Sequence, residues 1–245
     1  MVSDRAGDPG NQYETFAERY DRHSAASPYN TLVERPAVLA ACGALAGRRV
    51  LEAGCAGGLL TRELVARGAH VVAFDASPTL VGLARERVAG VEFHVHDLRE
   101  RLDFAADRSF DVVVASLMLH YLHDWEAPLR ELRRVLAPGG VVVVSTGHPM
   151  AELRLSPSGD YYAVEEVHEE WEAADGGAPL SVRWFRRPLS DALDSAHRAG
   201  LVLRGLLEPR PDEEHRAAFG KRFDALTTQP WYLLLVFGRQ EDGPG

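Results

Sequence analysis

The sequence of 245 residues has only two cysteines, Cys42 and Cys55, and it has no long apolar run. So few cysteines cannot form a disulfide framework, and a chain of this length buries enough surface to fold without one. No stretch approaches the roughly 18 apolar residues of a membrane-spanning helix. The first residues lack the apolar segment of a signal peptide. These absences predict a cytoplasmic protein that does not enter membranes.

Positive charge is scarce relative to negative charge. The chain has 27 Lys and Arg against 36 Asp and Glu, and its formal net charge is −9. This surplus of negative charge disfavours non-specific binding to nucleic acid or to anionic membranes. The apolar content of 46% is that of an ordinary globular protein, and the length fits a single domain. Composition does not specify the oligomeric state.

Strand-like and helix-like patterns alternate along most of the chain. Residues 110–115 form a nearly continuous apolar run, which is typical of a strand buried on both faces of a parallel sheet. The alternation predicts an α/β fold with a doubly wound, mostly parallel sheet. We expect seven strands, near residues 50, 70–74, 91–95, 110–115, 141–144, 201–207 and 231–237.

The flanks and one internal segment depart from this rhythm. We expect no fixed structure for residues 1–12 and 240–245, and helices over 13–22 and 32–45, which either cover a site or pad the sheet edge. Residues 148–187 contain two strand-like stretches, 161–171 and 180–185, around the hairpin signal Asp175-Gly176-Gly177. Ser190 and Gly200 are predicted to bound the next helix. The chain is therefore divided into N-terminal helices (1–45), a core (46–147), a hairpin cap (148–187) and the rest of the sheet (188–239).

Residues 50–58, VLEAGCAGG, predict a strand, a tight turn of small residues and the start of a helix. Small residues let the backbone approach a ligand, and a helix start offers free N–H groups. A tight strand-to-helix connection that binds no ligand has the same pattern. Residues later in the chain must therefore decide whether this loop binds a ligand. Asp75 ends the second strand and could accept hydrogen bonds from a ribose diol. Asp97 ends the third strand and could accept from an adenine amino group while the N–H group of Leu98 donates to the ring. Either aspartate could instead be a turn or cap residue.

Five motifs together resemble a class I S-adenosylmethionine-dependent methyltransferase of the small-molecule type. They span about residues 45–147, and the flanking segments resemble a bacterial branch of that superfamily. Alanine at position 56 departs from the family, which more often has glycine there. The five motifs are VLEAGCAGG (50–58), VAFD (72–75), HDL (96–98), FDVVVAS with LHYL (110–116 and 119–122) and LAPGG (136–140).

The resemblance implies S-adenosylmethionine as cofactor, S-adenosylhomocysteine as product and a small-molecule acceptor. It implies that Glu52 supports the loop, that Ser116 lies beside the methionine end and that Tyr20 and Arg35 close over the cofactor. The whole cofactor site implied in this way consists of Tyr20, Arg35, Glu52, Gly54, Cys55, Ala56, Gly58, Asp75, Ala76, Asp97, Leu98 and Ser116.

A catalytic base is needed only if the acceptor starts protonated. His148 follows the fifth strand and His120 follows the fourth, and histidine suits the role because its pKa lies near neutrality. We predict His148 as the better base, although either ring could simply make a structural hydrogen bond. The aromatic residues Tyr161, Tyr162 and Trp184 of the cap are predicted to contact the acceptor.

Other functions were weighed on the same residues. A dinucleotide-dependent dehydrogenase would need glycine at positions 56 and 59, where the chain has Ala56 and Leu59. No metal site is predicted, because the close histidine pairs lack further ligands and the two cysteines are 13 positions apart. A protein that binds the cofactor without methylating, such as a cyclase or a ligand-binding partner, stays the alternative, since a fold does not determine a function.

Overall fold

In the computed structural model, which describes residues 9–172 and 176–240, most strands belong to one sheet. Within these ranges the strands are β1 (Arg49–Ala53), β2 (His70–Asp75), β3 (Glu92–Val95), β4 (Phe110–Ser116), β5 (Leu136–Gly147), β6 (Glu165–Trp171), β7 (Leu180–Arg186), β8 (Leu201–Leu207) and β9 (Tyr232–Arg239). Seven of them form a sheet in the order β3-β2-β1-β4-β5-β9-β8, in which β9 is antiparallel to both neighbours. Strands β6 and β7 form a separate antiparallel hairpin. The predicted fold is confirmed.

Helices cover both faces of this sheet, which explains the apolar strands. Val112, Val113 and Val114 are successive residues of β4, and all three are buried. The helices are α1 (Ala17–Ala26), α2 (Arg35–Ala41), α3 (Leu59–Ala66), α4 (Pro78–Arg87), α5 (Glu126–Val135), α6 (Pro149–Glu152), α7 (Leu189–Arg198), α8 (Arg216–Phe219) and α9 (Phe223–Thr228). Helices α5 and α7 pack on one face, and α2, α3, α4 and α9 pack on the other. None of them is long and apolar enough to cross a bilayer.

Helix ends follow local side-chain chemistry, with one exception. The Ser77 hydroxyl accepts a hydrogen bond from the Leu80 N–H group at 3.1 Å, and Pro78 fits the first turn of α4. The prediction that Ser190 caps α7 is wrong, because that helix begins at Leu189. Pro188, whose backbone is extended, precedes the helix instead. The predicted end holds, since Gly200 has a φ of +78° just past the helix.

The N-terminal segment is more ordered than the sequence predicts. Residues Pro9–Phe16 wind as a 3-10 helix, so the expected absence of structure is wrong for residues 9–12. Residues 1–8 and 241–245 and the hairpin signal at Asp175 lie outside the described ranges. Helix α1 starts four residues later than predicted, and α2 starts at Arg35, where Pro36 marks a helix start. Residues Tyr29–Glu34, just before α2, form a π-helix.

The β6–β7 hairpin packs on the N-terminal segment. Val182 and Trp184 of the hairpin share an apolar cluster with Tyr13 and Ala17. The Gln12 side chain also donates to the Arg183 carbonyl at 2.6 Å and accepts from the Arg183 N–H group at 2.8 Å. The amide side chain therefore bonds to the edge of β7 as a neighbouring strand would. The inserted hairpin and the N-terminal segment form one layer at the carboxyl edge of the sheet.

Candidate functional site

A cavity of about 700 Å³ opens at the carboxyl ends of the central strands. The carboxyl edge is where open α/β sheets bind ligands. The first helical turns and the N-terminal segment close its sides. Its wall includes the predicted residues Tyr20, Gly54, Ala56, Asp75, Ala76, Asp97, Leu98 and Ser116.

The glycine-rich loop forms part of this wall, and at two of its positions a side chain would be strained or would contact a neighbour too closely. Gly54 has a φ of +72°, and a Cβ atom there would lie 2.7 Å from the Cβ of Met118. Gly58 has a φ of +78°, and its Cβ would lie 3.0 Å from the Cβ of Ala84 in α4. Ala56, which replaces the more usual glycine, has a φ of +47° and so keeps the left-handed backbone of the loop. The loop therefore needs small residues both for its turn and for its packing.

Asp75 joins the loop to the start of the next helix. Its carboxylate accepts hydrogen bonds from the N–H groups of Ala56 and Ser77, each at 2.9 Å. Burial raises the pKa of this carboxyl, and these two bonds oppose the rise. A carboxylate has about four lone-pair sites, so Asp75 can still accept from a ligand in the cavity.

The third-strand residues lie at the other end of the same cavity. Leu98 is buried and Ala76 lies nearby in the wall. The Asp97 carboxylate accepts from the backbone N–H and the Nε of Arg99, each at 2.9 Å. The predicted contact between Asp97 and an adenine amino group would therefore share an acceptor already bonded to Arg99.

A second cavity of about 500 Å³ adjoins the first, and both are lined by Tyr20, Gly54 and Ser116. Its wall includes Arg35, Glu52 and Cys55. No carboxylate in the described ranges forms an ion pair with Arg35. This cavity therefore offers a guanidinium to an anionic ligand group.

Two buried carboxyl groups lie in the wall of the second cavity. Glu34 accepts hydrogen bonds from the hydroxyls of Ser116 at 2.7 Å and Ser145 at 2.5 Å, and burial raises its pKa. Glu52 accepts from the Thr61 hydroxyl at 2.6 Å, and burial raises the pKa of Glu52 to about 8. These bonds connect strands β1, β4 and β5 to the π-helix before α2 and to α3. They hold the walls in place without a ligand.

Tyrosine rings and two polar contacts attach the N-terminal segment to the cavity. Tyr13 and Tyr121 line the larger cavity, and their hydroxyls are hydrogen-bonded to each other. The Glu14 carboxylate accepts from the Thr79 hydroxyl at 2.6 Å, at the start of α4. Asp21 receives two hydrogen bonds from Arg87, at 2.6 and 2.8 Å, at the end of the same helix. The N-terminal segment is thus hydrogen-bonded to both ends of α4.

The two predicted bases do not line either cavity. His148 accepts from the Met150 N–H group at its Nδ1, and its Nε2 lies 3.0 Å from the Glu208 carboxylate. Burial lowers the pKa of His148. His120 is buried with its Nδ1 3.4 Å from the Thr146 hydroxyl, and burial lowers its pKa to about 3. A ring that resists protonation so strongly is a weak base near neutral pH.

The three predicted acceptor residues also lie outside both cavities. Tyr162 is 77% exposed, and the Tyr161 hydroxyl accepts from the Leu189 N–H group at 3.2 Å. Trp184 is buried against the N-terminal segment, and its Nε1 donates to Glu152 at 2.8 Å. A role in acceptor binding stays a prediction for all three.

Residues 51–144 match the family described as "Methyltransferase domain". This match covers the strands, the loop and the carboxylates of the larger cavity, and the sheet order agrees with it. The chain has the class I methyltransferase fold, and residues 51–144 carry the match to that domain.

Curated relatives match about half of this chain. The ubiquinone biosynthesis O-methyltransferase of Xanthomonas oryzae is 41% identical over 108 residues, which are 42% of this chain and 44% of that protein. The demethylmenaquinone methyltransferase of Clavibacter sepedonicus is 36% identical over 147 residues, covering 58% of this chain and 59% of its own. The chain thus matches less than two thirds of the length of either relative.

Solved structures are similar to this chain over a longer stretch. A putative S-adenosylmethionine-dependent methyltransferase from Listeria monocytogenes has a TM-score of 0.71 at 17% identity, covering 90% of this chain and all of its own. The [4+2]-cyclase SpnF has a TM-score of 0.64 at 17% identity, covering 94% and 95%. At such low identity these likenesses describe the fold alone.

Sequence patterns missed several residues in the walls of the two cavities. Glu34, Tyr13, Tyr121 and Met118 line the cavities, but none of them was predicted. A signal existed for Tyr13, which lies seven positions before Tyr20 and so two helical turns away. Nothing local marks Glu34, whose partners are 82 and 111 positions away.

Proposed function

We propose that this protein transfers a methyl group from S-adenosylmethionine to an oxygen, nitrogen or carbon atom of a small molecule, in the cytoplasm. The observation that carries the proposal is the pair of joined cavities, with the Asp75 carboxylate in one and the Arg35 guanidinium in the other. The cofactor has an adenosine part, with its ribose diol, and a methionine part that ends in a carboxylate, so Asp75 and Arg35 can bind these two parts. When bound, it supplies an activated methyl group on a sulfonium.

The residues present fit this cofactor. Asp75 retains acceptor sites for a ribose diol, and Leu98 and Ala76 offer apolar surface for a purine. Arg35 can pair with a carboxylate, as guanidinium groups do in a planar, two-bond geometry. The closeness of Gly54 to Met118 leaves no room for a side chain where the backbone meets the ligand. The chain's own task is to bind, orient and exclude water, and good orientation can contribute roughly 7–11 kcal/mol.

The acceptor is proposed to be a small molecule because the cavities are small and the chain carries a net charge of −9. The names of the two relatives describe an O-methyltransferase of ubiquinone biosynthesis and a methyltransferase of demethylmenaquinone. We propose a small, uncharged or weakly charged acceptor of similar size, without nucleic acid as a substrate.

Calorimetry tests cofactor binding directly. We expect S-adenosylmethionine and S-adenosylhomocysteine to bind, and absence of binding at millimolar concentration would refute the proposal. Transfer of a labelled methyl group into a product separates an enzyme from the alternative, a protein that binds the cofactor without methylating. The [4+2]-cyclase SpnF, which has a similar fold, is an example of that alternative.

Replacement of Arg35 by glutamine should weaken binding of S-adenosylhomocysteine by about 10- to 100-fold. The reason is that a charged hydrogen bond contributes roughly 1.5–3 kcal/mol and 1.4 kcal/mol is about a factor of ten. Binding of 5′-methylthioadenosine, which lacks the amino-acid carboxylate, should hardly change. Arg22→Gln, which removes a cation 54% exposed on α1, is the matched control. Equal losses for both ligands would assign Arg35 a structural role instead.

A further inference from the structure

The carboxyl group of Glu152 lies at the carboxyl edge of the sheet, where β5 ends. Glu152 ends the short helix α6. Its Oε1 lies so close to Gly147, the last residue of β5, that any Cβ at this position would overlap it. The neighbouring strand β4 ends at Ser116, which lines both cavities. The carboxyl group therefore lies beyond the strand next to the proposed cofactor site.

Only one of the two carboxyl oxygens is engaged. Oε1 accepts a hydrogen bond from the Trp184 Nε1 at 2.8 Å. No residue of the described ranges donates to Oε2, and this atom is not sealed inside the protein. A carboxylate oriented by one bond, with its second oxygen free and reachable, has the geometry of a group that accepts a proton.

The cations that face Glu152 are already paired. Arg186 of β7 lies 2.9 Å from Glu165, and Arg154 lies 2.6 Å from Glu169. Burial raises the pKa of Glu152 to about 7, and these two arginines only partly oppose the rise. A carboxyl group whose pKa is raised in this way suits acid–base chemistry near neutral pH.

Two further groups connect Glu152 to the cavity side. Trp184, which donates to Glu152, shares an apolar cluster with Tyr13, and Tyr121 packs against that cluster. Tyr13 and Tyr121 both line the larger cavity. Burial lowers the pKa of Arg187, and the carboxylates of Asp191 and Glu152 partly restore it. The Arg187 guanidinium lies 2.6 Å from the Asp191 carboxylate.

We propose that Glu152 is the base that takes a proton from the acceptor, so that the acceptor is a hydroxyl or amine compound protonated at neutral pH. The proposal rests on the proposed methyl transfer. The O–H or N–H bond breaks, its proton passes to Oε2 and its electron pair stays on the acceptor atom as the nucleophile. The carboxyl group then returns the proton to solvent.

The position of His148 supports this assignment. Its ring accepts from the Met150 N–H group and so caps the helical turn that ends in Glu152. Because its Nε2 also lies 3.0 Å from Glu208, both ring nitrogens are engaged. His148 is thus a positioning residue for Glu152.

The variant Glu152→Gln tests the proposal, because its amide oxygen can still accept from Trp184 while the base is lost. Tritium transfer from labelled S-adenosylmethionine is measured on a panel of small phenols, catechols and primary amines. We expect the turnover number to fall by about 100-fold or more, as is typical when a base is removed. The acid limb of its pH profile near 7 should vanish, and the dissociation constant of S-adenosylhomocysteine should stay within about three-fold. Glu166→Gln, on the exposed side of β6, should leave turnover unchanged.

A second measurement does not depend on turnover. The pKa of Glu152 is higher in the folded chain, about 7, than its ordinary 4.5, so the folded state holds the extra proton between these values. Its contribution to the free energy of unfolding therefore falls as pH rises through that window. Glu152→Gln should thus unfold at a higher temperature than wild type at pH 8, and the difference should shrink at pH 5.

The outcomes separate this inference from the proposed function. If wild type binds neither S-adenosylmethionine nor its product, the proposed function fails. If wild type binds the cofactor but methylates none of the panel, the protonated acceptor class is overturned and Glu152 with it. Full turnover in Glu152→Gln with an unchanged pH profile, or loss in His148→Gln alone, would overturn the assignment of Glu152. An absent stability difference at pH 8 would overturn it as well.

Discussion

Replacement of Asp75 by alanine should weaken binding of S-adenosylhomocysteine by about 10- to 100-fold while the chain stays folded. Two hydrogen bonds from a ribose diol to a carboxylate contribute roughly 1.5–3 kcal/mol each, and water returns part of that on mutation. The loss has a second source, because Asp75 also accepts from the N–H groups of Ala56 and Ser77. Calorimetry measures the affinity, and circular dichroism measures the fold.

Asp111→Ala is the matched control for this experiment. Asp111 is also a strand aspartate that accepts from a backbone N–H group, that of Arg49 at 2.9 Å, but it is near the start of β4. We expect it to lose some stability and no affinity. An Asp75→Ala protein that folds and binds with wild-type affinity would contradict the assignment of Asp75 to the ribose.

Replacement of Gly54 by alanine should lower both the stability and the cofactor affinity. A left-handed backbone costs a residue with a Cβ atom roughly 1–2 kcal/mol. The new Cβ would also lie 2.7 Å from the Cβ of Met118, and such overpacking typically costs about 1–3 kcal/mol more. Because Met118 lines the larger cavity, its displacement should weaken binding of S-adenosylhomocysteine by about 10-fold or more, as 1.4 kcal/mol is a factor of ten.

Gly47→Ala isolates the two effects. Gly47 has nearly the same φ, +73°, but a Cβ atom there would meet nothing within 4 Å. In denaturant unfolding, the Gly47→Ala variant should therefore lose only the free energy that the left-handed backbone costs. In calorimetry, its affinity for S-adenosylhomocysteine should be unchanged. Equal losses of stability in the two variants would show that Met118 moves aside without cost.

The hairpin illustrates what a sequence pattern leaves open. Its aromatic residues and its position after β5 predicted a cap that contacts the acceptor. In the structure its apolar face packs on the N-terminal segment, with Trp184 against Tyr13. The alternation of apolar residues predicted that one face is buried, but it does not specify the partner that buries it. The carboxyl group that Trp184 binds, Glu152, was not marked by any pattern.

The sequence by itself determined the order of strands and helices, the glycine-rich turn and the place of Asp75 at a strand end. These features follow from backbone periodicity and from turn and cap chemistry, which act over a few residues. Only the tertiary structure decided which distant side chains meet. Glu34 meets Ser145 across 111 positions, and Tyr13 meets Tyr121 across 108. Such pairs depend on how whole segments pack, because no local interaction relates residues so far apart in the chain.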